Sequence, residues 1–276
     1  MSEGADQRRT SVSTTRLRIA LWQCESVPDD VEGNLERLEE TVVDAAAQGV
    51  DLVITPEMYL SGYNLGPTAA RRLADPIGGR LGDAVGDIAR RAQVAILYGC
   101  PELDGASVYN TIRLVDANGV SLASHRKTHL FGDIDREAVA PGQLQAPVIA
   151  LGGWSLGLLI CYEVEFPEMV RDLAIRGAEV ICVPTANMPE YDAVQTVLLP
   201  ARALENTVYV TYANYCGVEG DLAYGGLSEA AGPDGKVLAR AGGKPALLVV
   251  DVERGVLDDA RERFTYLADR RSDSLA

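Results

Sequence analysis

The sequence is poor in histidine, in aromatic bulk and in positive charge. It has only two histidines, His125 and His129, in 276 residues, which excludes a His-rich metal site by count. Asp and Glu total 40 against 25 Lys and Arg, giving a formal net charge of −15. Such a surface repels phosphate backbones and argues against a nucleic-acid partner. No apolar run approaches the roughly 20 residues that a membrane span needs. Residues 1–15 are polar and rich in Ser and Thr, without the apolar centre of a signal peptide; they read as a disordered lead-in. The five cysteines (Cys24, Cys100, Cys161, Cys182 and Cys216) are odd in number and scattered, with no C-x-x-C pair. A disulfide framework and a zinc cage are therefore not expected, and a reducing cytoplasm is the expected setting. A G-x-S-x-G elbow, a dinucleotide-binding glycine motif and a Walker phosphate loop are also missing.

What is present is an ordinary enzyme-like composition, 47% hydrophobic and 24% charged. Apolar runs at 17–24, 51–54, 94–99, 108–115, 122–125, 154–161, 179–183 and 208–213 read as strands, with later strands near 236–240 and 246–250. Between the early strands, Val31, Leu35, Leu38, Val42 and Ala46 recur at steps of three and four after the capping pair Asp29-Asp30, and Gly49 ends the run. That spacing predicts an amphipathic helix. Further helices are expected over 82–92, 166–176 and 193–206, and a hairpin turn at 116–119. Alternating strands and helices with some hairpins predict an α/β layered fold, as one domain over 16–276 whose chain turns charged and aperiodic from about 254.

Three residues stand where chemistry collects. Cys161 ends an apolar strand just before a helix, where a nucleophile is pushed out of the sheet beside free backbone N–H groups. Glu57 leaves the carboxyl edge of a strand, where a partly desolvated carboxylate can act as a base. Lys127 follows a third strand and can stabilise an oxyanion. Each has a plain alternative: a buried cysteine, a solvated loop acid, a surface basic cluster. A Cys–His pair would have to use His125 or His129.

The segments LVITPEMYLSGY, SHRKTHLF, LGLLICYEVEFPEM and ARALENTVYVTYANYCG resemble the nitrilase superfamily of carbon–nitrogen hydrolases, from about Leu17 to the end of the chain. The resemblance implies an αββα sandwich of two sheets with outer helices, four layers deep on homodimerisation. It implies a catalytic triad of Glu57 as general base, Lys127 as cationic stabiliser and Cys161 as nucleophile, with the Tyr162 backbone N–H at the oxyanion and neither metal nor cofactor. The family often carries a further glutamate where this chain has Asp135, with Asp133 and Glu137 nearby, and an Asp where it has Glu163. Within the superfamily the chain is most similar to 5-aminopentanamidase-like amidases. That implies hydrolysis of a small aliphatic amide to acid and ammonia through a cysteine thioester. Tyr63, Asn187, Met188 and Tyr191 then line the substrate pocket, and Glu190 or Asp192 is a candidate partner for an ω-amino or ω-guanidino end, as in 5-aminopentanamide or 4-guanidinobutanamide. A carbamoyl or nitrile substrate, or a non-catalytic binding role, are the alternatives. The stripes Met169, Leu173, Ile175 and Val197, Leu198, Leu204 on two helices are the candidate dimer surface.

Overall fold

A computed structural model describes residues 15–143 and 145–271; the expected lead-in, residue 15 apart, lies outside the described residues. In chain order the elements are β1 (Arg16–Gln23), α1 (Val31–Ala47), β2 (Leu52–Ile54), α2 (Gly66–Leu73), α3 (Arg80–Ala92), β3 (Ala95–Asp104), β4 (Ser107–Val115), β5 (Ser121–Arg126), α4 (Gly132–Ala138), β6 (Val148–Leu151) and β7 (Trp154–Leu158). There follow α5 (Pro167–Ile175), β8 (Val180–Pro184), α6 (Leu199–Asn206), β9 (Tyr209–Ala213), β10 (Cys216–Glu219), β11 (Leu222–Gly225), β12 (Glu229–Ala231), β13 (Val237–Arg240), β14 (Ala246–Glu253), α7 (Arg254–Arg263) and α8 (Tyr266–Asp269).

The strands form two six-stranded sheets, ordered β14-β1-β2-β3-β4-β5 and β13-β12-β9-β8-β7-β6, and a separate β10–β11 hairpin. Each sheet has a parallel centre, β1-β2-β3 in one and β7-β8-β9 in the other, flanked by antiparallel strands. Side chains alternate across a strand, and the alternation sorts the core into layers. Leu17, Ile19 and Leu21 of β1 meet Leu156 and Leu158 of β7 and Val180 and Cys182 of β8 between the sheets. Ala20, Val53 and Ile96 point the other way, under α1 and α3. Ile181, Val183 and Val210 face α5 and α6 on the opposite side. This is the αββα sandwich.

Local structure departs from the sequence reading in instructive places. α1 forms as expected, with the Asp30 side chain accepting from Gly33 N. The helix expected over 193–206 is instead a wide π turn, Val194–Leu198, running into α6. Pro200 supplies no backbone N–H to the α ladder there, so the preceding turn opens. The strands at 236–240 and 246–250 are not partners: β13 lies in one sheet, β14 pairs with β1 in the other, and Gly242-Gly243 sits in the crossing. The chain beyond Glu253 is helical as α7, with Leu257 and Ala260 buried and Arg254 paired with Glu179. Among the described residues no helix is long and apolar enough to cross a membrane.

Candidate active site

The site lies where the carboxyl ends of the central strands of the two sheets approach each other. β2 is fully buried, and the chain leaves it through Thr55-Pro56 to Glu57. The Glu57 backbone N–H donates to the carbonyl of Thr185, just past β8 in the other sheet, at 3.2 Å. The turn after Glu57 sits directly on β3: a Cβ added at Gly99 would lie 2.3 Å from Met58 N, so glycine is required there.

Lys127 follows β5. Its N–H donates to Asn110 O on β4 and its carbonyl accepts from Gly142 N, both at 2.8 Å. Its side chain runs inward, 0% exposed, to place Nζ 2.7 Å from Glu57 Oε1 and 2.7 Å from Asp135 Oδ2. Asp135 comes from α4, where its Oδ2 also accepts Phe131 N at 2.8 Å. Of the three acids near that stretch, Asp135 is the one at the lysine; Asp133 pairs loosely with Arg136 on the surface. Asn110 Nδ2 donates to Glu57 Oε1 at 2.7 Å, while Glu57 Oε2 is buried without a partner.

Burial sets the electrostatics. It pushes the Glu57 carboxyl above its usual range; Lys127 pulls it back and Asp135 adds to the push. Burial also works against the Lys127 ammonium, but Glu57, Tyr63, Asp135 and Cys161 outweigh it and hold the lysine well above its ordinary value. Lys127 therefore stays cationic at any working pH.

Cys161 does not end a strand, as the sequence suggested. β7 stops at Leu158, and Cys161 opens a 3-10 turn, Cys161–Glu165, with a left-handed φ of 47°. That conformation is uncommon for a non-glycine residue. It lifts the thiol out of the sheet at the start of a helical turn, where N–H groups, Tyr162's among them, lack partners within the turn. Cys161 is 7% exposed. Burial and the neighbouring Glu57 push its thiol up to about 12, against the pull of Lys127, the Thr185 hydroxyl and the Ala186 N–H. A thiol raised in this way is protonated near neutrality, so its use as a nucleophile would call for a base to take the proton. Neither histidine is that base: His125 Nε2 bonds Glu163, and His129 bonds Thr128 and packs on Phe166.

The proposed pocket residues divide. The Tyr63 ring covers Lys127 Nζ at 5.6 Å, and Met188 is buried beside it in the same cluster. Tyr191 is exposed and edge-on to Phe131, which is also edge-on to Tyr162. The Asn187 amide is committed to the Tyr191 carbonyl and Gln195 Oε1, so it shapes the loop rather than offering donors to a ligand. Glu190 is exposed, and Asp192 Oδ1 is buried beside Gly225 without a hydrogen-bond partner. The β10–β11 hairpin clasps this wall: Glu219 on β10 accepts Tyr63 N, Asn64 N and the Tyr224 hydroxyl.

Sequence reasoning missed Asn110, Thr185, Glu219 and the contacts of Glu163. A buried polar residue in an apolar strand, such as Asn110 within VYNTIRLV, was the available signal. A model of carbon-nitrogen hydrolases matches residues 18–262. The chain belongs to the carbon-nitrogen hydrolase family. It is 48% identical to a hydrolase encoded in the pqqF 5' region of Pseudomonas protegens, over 92% of this chain and 89% of that one. An (R)-stereoselective amidase of a Pseudomonas species is 35% identical over 92% of each chain. A solved mutant of the amidase from Nesterenkonia sp. AN1 superposes with a TM-score of 0.81 at 36% identity, covering 95% of this chain and 96% of the other. That mutant shows covalent addition of the acetamide moiety of fluoroacetamide at its active-site cysteine.

Proposed function

We propose that this member of the family hydrolyses a small aliphatic carboxamide to the acid and ammonia through a thioester on Cys161. The observation that carries the reading is the buried chain Asn110–Glu57–Lys127–Asp135, which occupies one Glu57 oxygen and leaves Oε2 free as a base. Glu57 takes the Cys161 proton as sulfur attacks the amide carbon. The oxyanion that forms is met by Lys127, which has three N–H donors and spends two on carboxylates, and by the Tyr162 backbone N–H. Glu57 then hands its proton to the departing nitrogen. Ammonia leaves, and water deprotonated by the same carboxylate cleaves the thioester, returning the acid and the thiol. Asp135 keeps the lysine charged and aimed. No cofactor enters any step.

The Tyr63, Phe131 and Met188 wall suits a short apolar acyl chain. An ω-cationic amide is the second reading, and one acid favours it. Glu165 lies one helical turn past Cys161, half-buried, and pairs with no cation at ion-pair distance among the described residues. Burial pushes its carboxyl up, with Lys127 and Arg202 opposing. Ammonia release from a panel holding pentanamide and 5-aminopentanamide tests both readings. No release from any small amide contradicts the amidase; equal kcat/KM for the two removes the cation. The proposed homodimer joins α5 and α6 across copies. Met169 and Leu173 serve the chain's own core, leaving Ile175 on α5, 49% exposed, and Val197 in the π turn before α6, 59% exposed, to face a partner.

A further inference from the structure

Glu163 is fully buried yet touches none of the reacting groups, and every partner of its carboxylate is a donor. Oε2 accepts the Ile160 backbone N–H at 2.7 Å and His125 Nε2 at 2.9 Å. Oε1 accepts the Thr128 backbone N–H at 2.8 Å, the Thr128 hydroxyl at 2.6 Å and the same His125 nitrogen at 3.1 Å. Ile160 is the residue before Cys161, and Thr128 is the residue after Lys127.

We propose that Glu163 is a positioning residue that fixes the nucleophile relative to the lysine: one carboxylate oxygen holds the cysteine turn and the other holds the lysine loop. The inference rests on the Cys161 thioester reading and extends it to a residue outside the reacting set.

The cysteine side of the clamp is a closed ring. Glu163 N donates to Ile160 O at 3.1 Å while its side chain accepts Ile160 N, so the two residues bracket Cys161-Tyr162 with reciprocal bonds. Left-handed backbone at a non-glycine residue persists only when its surroundings over-determine it, and this ring does so at Cys161. The lysine side is equally fixed. Lys127 is anchored to β4 through Asn110 O and to Gly142, and the Thr128 bonds to Glu163 carry that anchorage across to the cysteine turn. His125, next to last in β5, spans both oxygens and keeps the carboxylate from rotating. The partners outweigh burial and hold the Glu163 carboxyl below its usual range, so it is an acceptor on both oxygens at working pH.

An all-donor environment makes Glu163→Gln a sharp test, because its amide N–H₂ must face a backbone N–H on one side. A misplacement of about 1 Å in a reacting geometry costs about 10²-fold. Glu163→Gln should lower kcat about 10²-fold with KM within about threefold. It should slow alkylation of Cys161 by iodoacetamide, followed on the Cys161 peptide, while circular dichroism stays native. Glu163→Asp, which keeps two acceptors, should recover part of kcat. Should Glu163→Gln fail to fold, Thr128→Val decides: it deletes one donor and should cut kcat several-fold at constant KM. A folded Glu163→Gln with kcat and alkylation within threefold of the parent overturns the proposal, as does an unchanged Thr128→Val. The parent protein separates the two readings: a substrate-derived acyl group on Cys161 upholds the thioester, and its absence from a turning-over parent sinks that reading rather than the clamp.

Discussion

Asn110 donates to Oε1 of Glu57 at 2.7 Å, on the same oxygen that Lys127 approaches, so Oε2 is the Glu57 oxygen left without a partner. Asn110 also carries Lys127 on its backbone carbonyl. One strand residue thus positions both Glu57 and Lys127. Its amide lowers the Glu57 carboxyl against the burial that raises it. Asn110→Leu should therefore raise the Glu57 pKa further. In a kcat/KM–pH profile the acid limb should move to higher pH; an unmoved limb removes Asn110 from this role.

The proposed mechanism uses Glu57 as a carboxylate, so activity should rise as pH rises through its elevated pKa, above the ordinary glutamate range. Lys127 titrates well above its usual value, so it adds no basic limb near neutrality. Glu57→Gln should lower kcat by about 10²–10⁴ and abolish the acid limb. Retention of that limb in the variant assigns it to another group.

Lys127 is flanked by two buried carboxylates. Lys127→Ala leaves them facing each other without a cation, which should cost about 3–5 kcal/mol of stability at neutral pH. Part of that loss should return on mild acidification, as one carboxyl protonates. Urea melts at two pH values check the sign; equal losses at both argue that the acids are relieved by another partner.

Glu163 gives a stability test with the opposite sign. Its folded pKa is depressed despite burial, because His125 and Thr128 favour the charged form. Its stabilisation is present above the unfolded glutamate value of about 4.3 and is lost as pH falls through the lower folded value. Glu163→Gln should flatten the pH dependence of stability in that acid window. A variant whose acid melt parallels the parent would place the charge elsewhere.

How much of this was legible from the sequence differed between elements. The strands that point residues at the site showed as apolar runs, and the family motifs put forward Glu57, Lys127 and Cys161, of which the structure joins Glu57 to Lys127 directly. α4 was invisible because GDIDREA carries no apolar stripe; its task is to present Asp135, not to cover a sheet. The β10–β11 hairpin turns at Gly220-Asp221, a two-residue hairpin signal that was present and passed over. α7 looked like a charged tail because Leu257 and Ala260 are its two buried residues. Glu163 reaches Ile160 three residues away, but its Thr128 and His125 partners lie 35 or more residues away, and local pattern holds no record of which donors will meet an acid at that separation.

The wall around Tyr63 depends on a distant acid as well. Glu219→Gln replaces an acceptor that holds Tyr63 N, Asn64 N and the Tyr224 hydroxyl. It should raise KM several-fold with a smaller change in kcat, as loosened substrate positioning does. Equal falls in kcat and kcat/KM would instead place Glu219 in transition-state stabilisation.

Mass spectrometry of enzyme quenched during turnover of a slow small amide looks for the Cys161 thioester itself. A mass increase equal to the acyl group is expected on the Cys161 peptide and not in Cys161→Ala. Turnover with an unmodified Cys161, or with the acyl group on another residue, would contradict it.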